Sequence, residues 1–249
     1  MPSSPAAEFD PPADRPDGVW PVVAAFLPGL LVAGLGTLTC YFAVGAGLGL
    51  FFGGVLLCAI VVPPLAVAEG GYGRALVAAA SVAGGVSLAW LAVTLLPRPP
   101  EQPYPEPGDW AACTAAVGAF AFALAGLALV LRGARVGPPV ASFATTLLGL
   151  AWLTWPVWLS PWLAGRAGLV GWLVPAHPLL AVNSVVRHLG IWDEQPLAYN
   201  LTTLNRDVPY PLPGGILRTV LVHGAIGVVL LSAAILPGRV RRGGVSGHG

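Results

Sequence analysis

The sequence has no lysine, only three cysteines and only 9% charged residues in 249 positions. A soluble domain carries about 25% charged residues. So little charge could not hold an outer surface in water, which excludes an ordinary globular fold. All twelve basic residues are arginine and the formal net charge is +1, which excludes the basic surface of a nucleic-acid binder. Cys40, Cys58 and Cys113 form no Cys-x-x-Cys pair and have no histidine at metal spacing. They read as small buried hydrophobes, not as zinc or iron–sulfur ligands.

The charge is missing in blocks. Between Gly18 and Ala68 there is no Asp, Glu, Lys, Arg or His. Further apolar blocks cover residues 75–97, 110–131, 136–165 and 219–238, the last holding the single His223. A bilayer-spanning helix needs about 20 mostly apolar residues, and each block is long enough. The first, residues 18–68, would run about 77 Å as one helix at 1.5 Å per residue, so it must fold back as a hairpin. The fold class expected is therefore all-α: a polytopic membrane protein with a bundle of six transmembrane helices. The spans are placed at about 20–42, 45–67, 75–96, 110–131, 140–159 and 216–236. Residues 1–19 are expected to be a disordered tail. They hold Arg15 against Glu8, Asp10, Asp14 and Asp17, with several prolines and none of the basic-then-apolar pattern of a cleavable signal. Residues 237–249 form a second tail with Arg239, Arg241 and Arg242.

Arginine counting orients the bundle. With the N-terminus inside, inner segments carry Arg15, Arg74, Arg132, Arg135, Arg239, Arg241 and Arg242, and outer loops carry Arg98, Arg166, Arg187 and Arg206. The excess places both termini in the cytoplasm of a multi-pass cell-membrane protein. Small residues recur every fourth position at Gly45, Gly49 and Gly53, and at Ala111, Ala115, Ala119 and Ala123. Such stripes let helix backbones approach closely. They are read as seams within the bundle, with an oligomer interface as the alternative. Pro97–Gly108 reads as an extended outer connector.

Residues 160–215 are too long for a turn and contain no complete span, so they are expected to form an ordered outer cap. Trp152, Trp155, Trp158 and Trp162 lead into it at helical spacing, which suits an interfacial aromatic belt. The sharper alternative is an aromatic platform for haem or lipid. The stretch lacks the Trp–Asp ending of haem-handling loops; Trp192-Asp193 lies downstream and alone. Residues 178–189 read as a short interfacial helix. Pro178 suits its first position, Leu179, Val182, Val186 and Leu189 form its apolar stripe, and Gly190 stops it. Such a helix is expected to lie flat on the membrane or to cover the bundle as a lid. The polar run after it includes Asn200-Leu201-Thr202, a three-residue glycosylation match that carries no weight alone.

An ionisable residue inside a span is a functional candidate by default. His223 is the one well inside, with Arg218 about 7–8 Å nearer the outer end at helical rise. Arg218 could reach headgroups or an outer carboxylate such as Asp193, Glu194 or Asp207. The bland reading of His223 is a neutral imidazole bonded to a backbone carbonyl or hydroxyl; the alternatives are a proton relay or a ligand contact. His177 and His188 would stand about 16 Å apart on one continuous helix. A shared site would need His177 off the helix end, or His223 as its partner. No metal site and no cofactor are predicted, since no spacing demands one.

Six spans with a late histidine resemble rhomboid proteases. The only Gly-x-Ser-Gly run, Gly244-Val245-Ser246-Gly247, lies in the C-terminal tail outside every span, which argues against that activity. There is no P-loop, no dinucleotide-binding glycine pattern and no His-Glu-x-x-His. Two classes stay open. The first is a non-enzymatic permease-like or accessory subunit of a transport or envelope complex, with the bilayer, other membrane subunits or an ATPase as partners. The second is a membrane enzyme or a haem- or lipid-handling protein. Its site would lie where the sixth span meets residues 177–213, and would use His223, Arg218, His177, His188, Asp193, Glu194 and Asp207.

Overall fold

The computed structural model describes residues 20–44, 50–68, 71–97, 106–163, 165–189 and 213–243. These form α1 (Trp20–Val44), α2 (Gly53–Ala68), α3 (Tyr72–Thr94), α4 (Pro107–Gly133), α5 (Pro138–Trp158), α6 (Ser160–Leu163), α7 (Ala167–Ala176), α8 (Pro178–Val186) and α9 (Leu217–Gly243). A turn of 3-10 helix, Arg187–Leu189, continues α8. No strand occurs among the described residues. Six of the helices are long and apolar enough to cross a membrane: α1 to α5 and α9. Lipid offers a backbone no hydrogen-bonding partner, so each crossing must satisfy its own N–H and C=O groups, and helices do so. The chain is an integral, multi-pass membrane protein with an all-α fold.

Six spans are found where six were expected, with shifted ends. The second begins at Leu50, five residues later than placed, through a wide π turn at Leu50–Phe52. The indole N–H of the fully buried Trp90 donates to the carbonyl of Leu50 at 2.9 Å, which satisfies that turn from α3. The sixth helix runs on to Gly243, into residues assigned to the tail. The N-terminal tail, residues 45–49, most of the proline connector and residues 190–212 lie outside the described residues. So do Gly45 and Gly49 of the first small-residue stripe.

Register along the seams gives the direction of each helix. Gly36 meets Leu57 and Gly53 meets Cys40, so α1 and α2 run antiparallel. Gly29 meets Ser81 and Gly34 meets Gly85, so α1 and α3 run parallel. Phe120 meets His223, Gly227 meets Phe122 and Gly126 meets Leu230, so α4 and α9 also run parallel. One face of the bundle therefore gathers the C-terminal ends of α1, α3 and α5 and the N-terminal ends of α2, α4 and α9. This is the cap face. On the opposite face Arg132 donates to the carbonyl of Val67 at 2.6 Å, and the Tyr72 hydroxyl donates to that of Ala234 at 2.8 Å.

The tightest seams use small residues, but not those of the alanine stripe. Ala111 and Ala115 are exposed and only Ala123 is buried. Helix α4 instead turns Ala116, Ala121, Ala125 and Ala128 inward and meets α9 through Gly126 and Gly227. Between α1 and α3 the backbones approach so closely at Gly85 that a β-carbon there would collide with the carbonyl oxygen of Leu30.

Helices α7 and α8 are bent by 73° at His177. The two ends of this pair meet the same face. The α7 backbone at Gly171 takes a bond from Arg218 at the start of α9, and His188 reaches Asp109 at the start of α4. The bend itself sits deeper, against Leu153 of α5. The pair is therefore a re-entrant hairpin that enters the bundle and returns, and the complete crossings among the described residues stay six. Of the two placements expected for this segment, flat on the membrane or over the bundle, the structure has it against the bundle: one side of α8 tucks against α4, with Leu179, Val182, Asn183 and Val186 buried. Its apolar stripe matches the sequence pattern, and the bundle, not lipid, covers it.

Candidate functional site

The hairpin reaches the bundle at a buried group of histidine and tryptophan side chains. His223 lies on α9 at 4% exposure. Its Nδ1 stands 2.9 Å from the carbonyl oxygen of Thr219, one turn earlier. A carbonyl can only accept, so Nδ1 carries the proton, and Nε2 is left as an acceptor. The indole N–H of Trp152 on α5 donates to that Nε2 at 3.1 Å. Phe120 of α4 packs edge-on against the same imidazole, ring centres 5.4 Å apart. Both ring nitrogens are thus engaged by the protein. The tryptophan is the partner that the sequence did not identify.

His177 has the opposite tautomer. It sits between α7 and α8 at 1% exposure, and its Nε2–H donates to the carbonyl of Leu153 at 3.1 Å. Its Nδ1 accepts the backbone N–H of Leu180 at 3.3 Å, so the imidazole serves as the N-cap of α8. Pro178 follows as the first helical residue, where a missing N–H leaves no bond unmade. The ring of Trp152 stands between the two imidazoles, 6.2 Å from His177 and 6.1 Å from His223. Trp155 closes on His177 from the next turn of α5, 5.8 Å away and edge-on. Thr219 adds a link across the junction, its hydroxyl donating to the carbonyl of Pro175 at 2.7 Å.

Two buried polar atoms here lack a hydrogen-bond partner among the described residues: the indole nitrogen of Trp155 and the side-chain oxygen of Asn183. Asn183 was not singled out from the sequence, and Trp155 was read there only as one of the interfacial tryptophan stripe. Only packing reveals that an indole read as interfacial is 1% exposed.

The tryptophan stripe divides where α5 ends. Trp152 and Trp155 turn into the bundle, while Trp158 and Trp162 are 53% and 73% exposed. Those two, with Trp172, keep the character of an interfacial belt. Arg218 stacks over Trp172, 5.1 Å from the ring centre, and donates to the carbonyl of Gly171 at 3.3 Å. The carboxylates considered as its partners, Asp193, Glu194 and Asp207, lie outside the described residues.

The candidate residues therefore separate. His177, His223 and Arg218 gather where α5, α7 and α9 meet. His188 is elsewhere, 3.3 Å from Asp109. Asp109 belongs to the first turn of α4. Among the described residues, no three His, Cys, Asp or Glu side chains converge as a metal ion would need. The sequence matches no family model, no curated protein and no solved structure.

Proposed function

We propose that this protein is a non-enzymatic, permease-like or accessory subunit of a membrane transport or envelope complex, with both termini in the cytoplasm. The observation that carries this reading is the condition of the two buried imidazoles. Each has one nitrogen donating to a backbone carbonyl and the other accepting a protein N–H. A general base, a proton relay or a metal ligand must keep one nitrogen for the reacting partner. These rings keep none: His177 ties the hairpin to α5, and His223 ties α9 to α5. Few polar side chains line the described spans, so one copy offers little for a hydrated solute to follow. Transport would then need partner subunits. Among the described residues the opposite face carries Arg74, Arg132, Arg135, Arg239, Arg241 and Arg242 against Arg166, Arg187 and Arg218 on the cap face, which favours placing it in the cytoplasm.

The test is gentle solubilisation of the native membrane, followed by native mass spectrometry. A stoichiometric assembly with other membrane subunits or an ATPase supports the reading. A protein isolated alone, with a bound prosthetic group or lipid in fixed ratio, overturns it.

One observation favours the second reading, a haem- or lipid-handling protein. A buried indole N–H without a partner costs about 1–3 kcal/mol, and Trp155 has such a group beside His177. A polar atom of a bound ligand would satisfy it. A Soret band, or lipid that survives delipidation of the wild type but not of Trp155→Phe, would carry this alternative.

A further inference from the structure

The face opposite the cap gathers arginine. Arg132 lies in the last turn of α4 and donates to the carbonyl of Val67, which fixes it beside the end of α2. A guanidinium has five N–H donors, so this bond leaves others to offer. Arg135 follows at the C′ position of a Schellman motif. Its N–H bonds the carbonyl of Arg132 at 3.1 Å, and that of Val136 bonds Leu131 at 3.3 Å. The φ of Arg135 is 64°, in the left-handed region where glycine is usual. The turn thus holds an exposed arginine at a position that disfavours any side chain. Arg74 sits in the first turn of α3, and Arg239, Arg241 and Arg242 lie in the last turns of α9. The bond from Tyr72 to Ala234 ties these two helices together at this end. Between the helices of this face the sequence supplies one acid, Glu69.

Trp20, the first residue of α1, lies at the same end, because α1 runs parallel to α3. The residues just ahead of it hold Glu8, Asp10, Asp14 and Asp17 against Arg15. We propose that this acidic segment, residues 8–17, docks on the arginine-bearing face, reaching from the start of α1 across α3 and α4 toward the end of α9. Charge complementarity favours the contact, and reach permits it. Packed helix axes stand about 8–10 Å apart, and α1 packs on α3, α3 on α4 and α4 on α9. Arg74 is then about one spacing from the start of α1, Arg132 and Arg135 about two, and the end of α9 about three. At up to about 3.5 Å per residue, Asp17 can stand about 10 Å from Trp20, Asp14 about 20 Å, and Asp10 and Glu8 about 35–40 Å. As a relaxed coil the stretch from Glu8 to Trp20 still spans about 17–21 Å. Tethering keeps the segment near the face at an effective concentration in the millimolar range, an advantage that no free anion has. One exposed ion pair shifts such a balance by at most about fivefold. Docking therefore takes several pairs at once and needs no single conformation of the segment. It does not depend on which compartment the face meets, so it stands apart from the orientation proposed above. An acidic partner or an anionic headgroup would have to displace the segment to reach these arginines.

Pulsed electron-spin distance measurements on the full chain in phosphatidylcholine nanodiscs test this. Spin labels go on Ala7→Cys and Ala134→Cys, with Cys40, Cys58 and Cys113 replaced by alanine. Ala134 is exposed and lies between Arg132 and Arg135. At about 10 mM salt, where the Debye length is about 30 Å, charges act across the whole face. The labels should then stand mostly within about two helix spacings, or about 20 Å. At about 1 M salt the Debye length falls to about 3 Å, and the distribution should lengthen and broaden. Glu8→Gln, Asp10→Asn, Asp14→Asn and Asp17→Asn together should give the long, broad distribution at both salt concentrations. None of the four lies in a described helix, so the bundle keeps its fold. Arg74→Gln with Arg135→Gln should release the segment in part while sparing the bond from Arg132 to Val67. A distribution in the parent chain that ignores salt, or a neutralised segment that stays close and narrow, would overturn the docking. So would release of the segment in discs that carry anionic phosphatidylglycerol, since the arginines would then belong to lipid headgroups.

Discussion

At the scale of single residues, the junction rests on a chain of hydrogen bonds from Trp152 through His223 and Thr219 to Pro175. Trp152→Phe keeps most of the ring volume and deletes one N–H. The His223 Nε2 is then buried without a donor, at a cost of about 1–3 kcal/mol. Thermal unfolding in detergent should show the loss. His223→Leu beside it should restore part of the stability, because both polar partners are then gone. Additive losses in the double variant would mean that the two side chains are not coupled. His177→Ala removes the cap of α8 and the bond to Leu153. N-cap losses run about 0.5–2 kcal/mol, and the exchange of amides 179–181 should rise before that of the spans. The sequence could mark His223, because a lone ionisable residue in an apolar block stands out. It could not mark Trp152 as its partner, since the two are 71 residues apart and an indole near a span end reads equally well as interfacial. His177 was visible as a residue before Pro178, but histidine is not among the preferred N-caps.

At the scale of helices, Gly and Ala are so frequent that four-residue spacings appear on many faces. Only the partner's register decides which face packs. Ala111 and Ala115 satisfy the pattern and lie exposed, while Gly34 and Gly85 belong to no stripe that was noted and make the closest crossing. The span positions themselves were legible, because the absence of charge over about 20 residues is a demand of the lipid and needs no partner. Gly85→Ala would drive its β-carbon into the carbonyl of Leu30 and force α1 away from α3. Overpacking of this kind costs about 1–3 kcal/mol. Gly118→Ala on α4 and Gly224→Ala on α9 are the controls, since a β-carbon there meets nothing within 4 Å. A glycine inside a helix is about 0.5–1 kcal/mol worse than alanine, so the controls should hold or gain stability. A similar loss at all three positions would reject the seam.

At the scale of the whole molecule, the decisive feature is whether the chain between α5 and α9 crosses the membrane or turns back. Hydropathy cannot decide, because α7 and α8 together are apolar enough to count as one more span. Two contacts decide it in favour of turning back: Arg218 to Gly171, and His188 to Asp109, both on the cap face. The prolines at 175 and 178 were visible in the sequence, but which side the chain leaves on depends on contacts made 47 and 79 residues away. A re-entrant hairpin gives six crossings among the described residues and puts Trp20 of α1 and Gly243 of α9 on one side; a seventh crossing would separate them. Single cysteines at Ser3, Asp193 and Ser246, in a variant lacking Cys40, Cys58 and Cys113, can be probed in sealed vesicles with a membrane-impermeant maleimide. Ser3→Cys and Ser246→Cys should label together, and Asp193→Cys only from the other side. Labelling of the two termini from opposite sides would require the hairpin to traverse the bilayer. Its bend could then not stay docked against Leu153 while His188 meets Asp109.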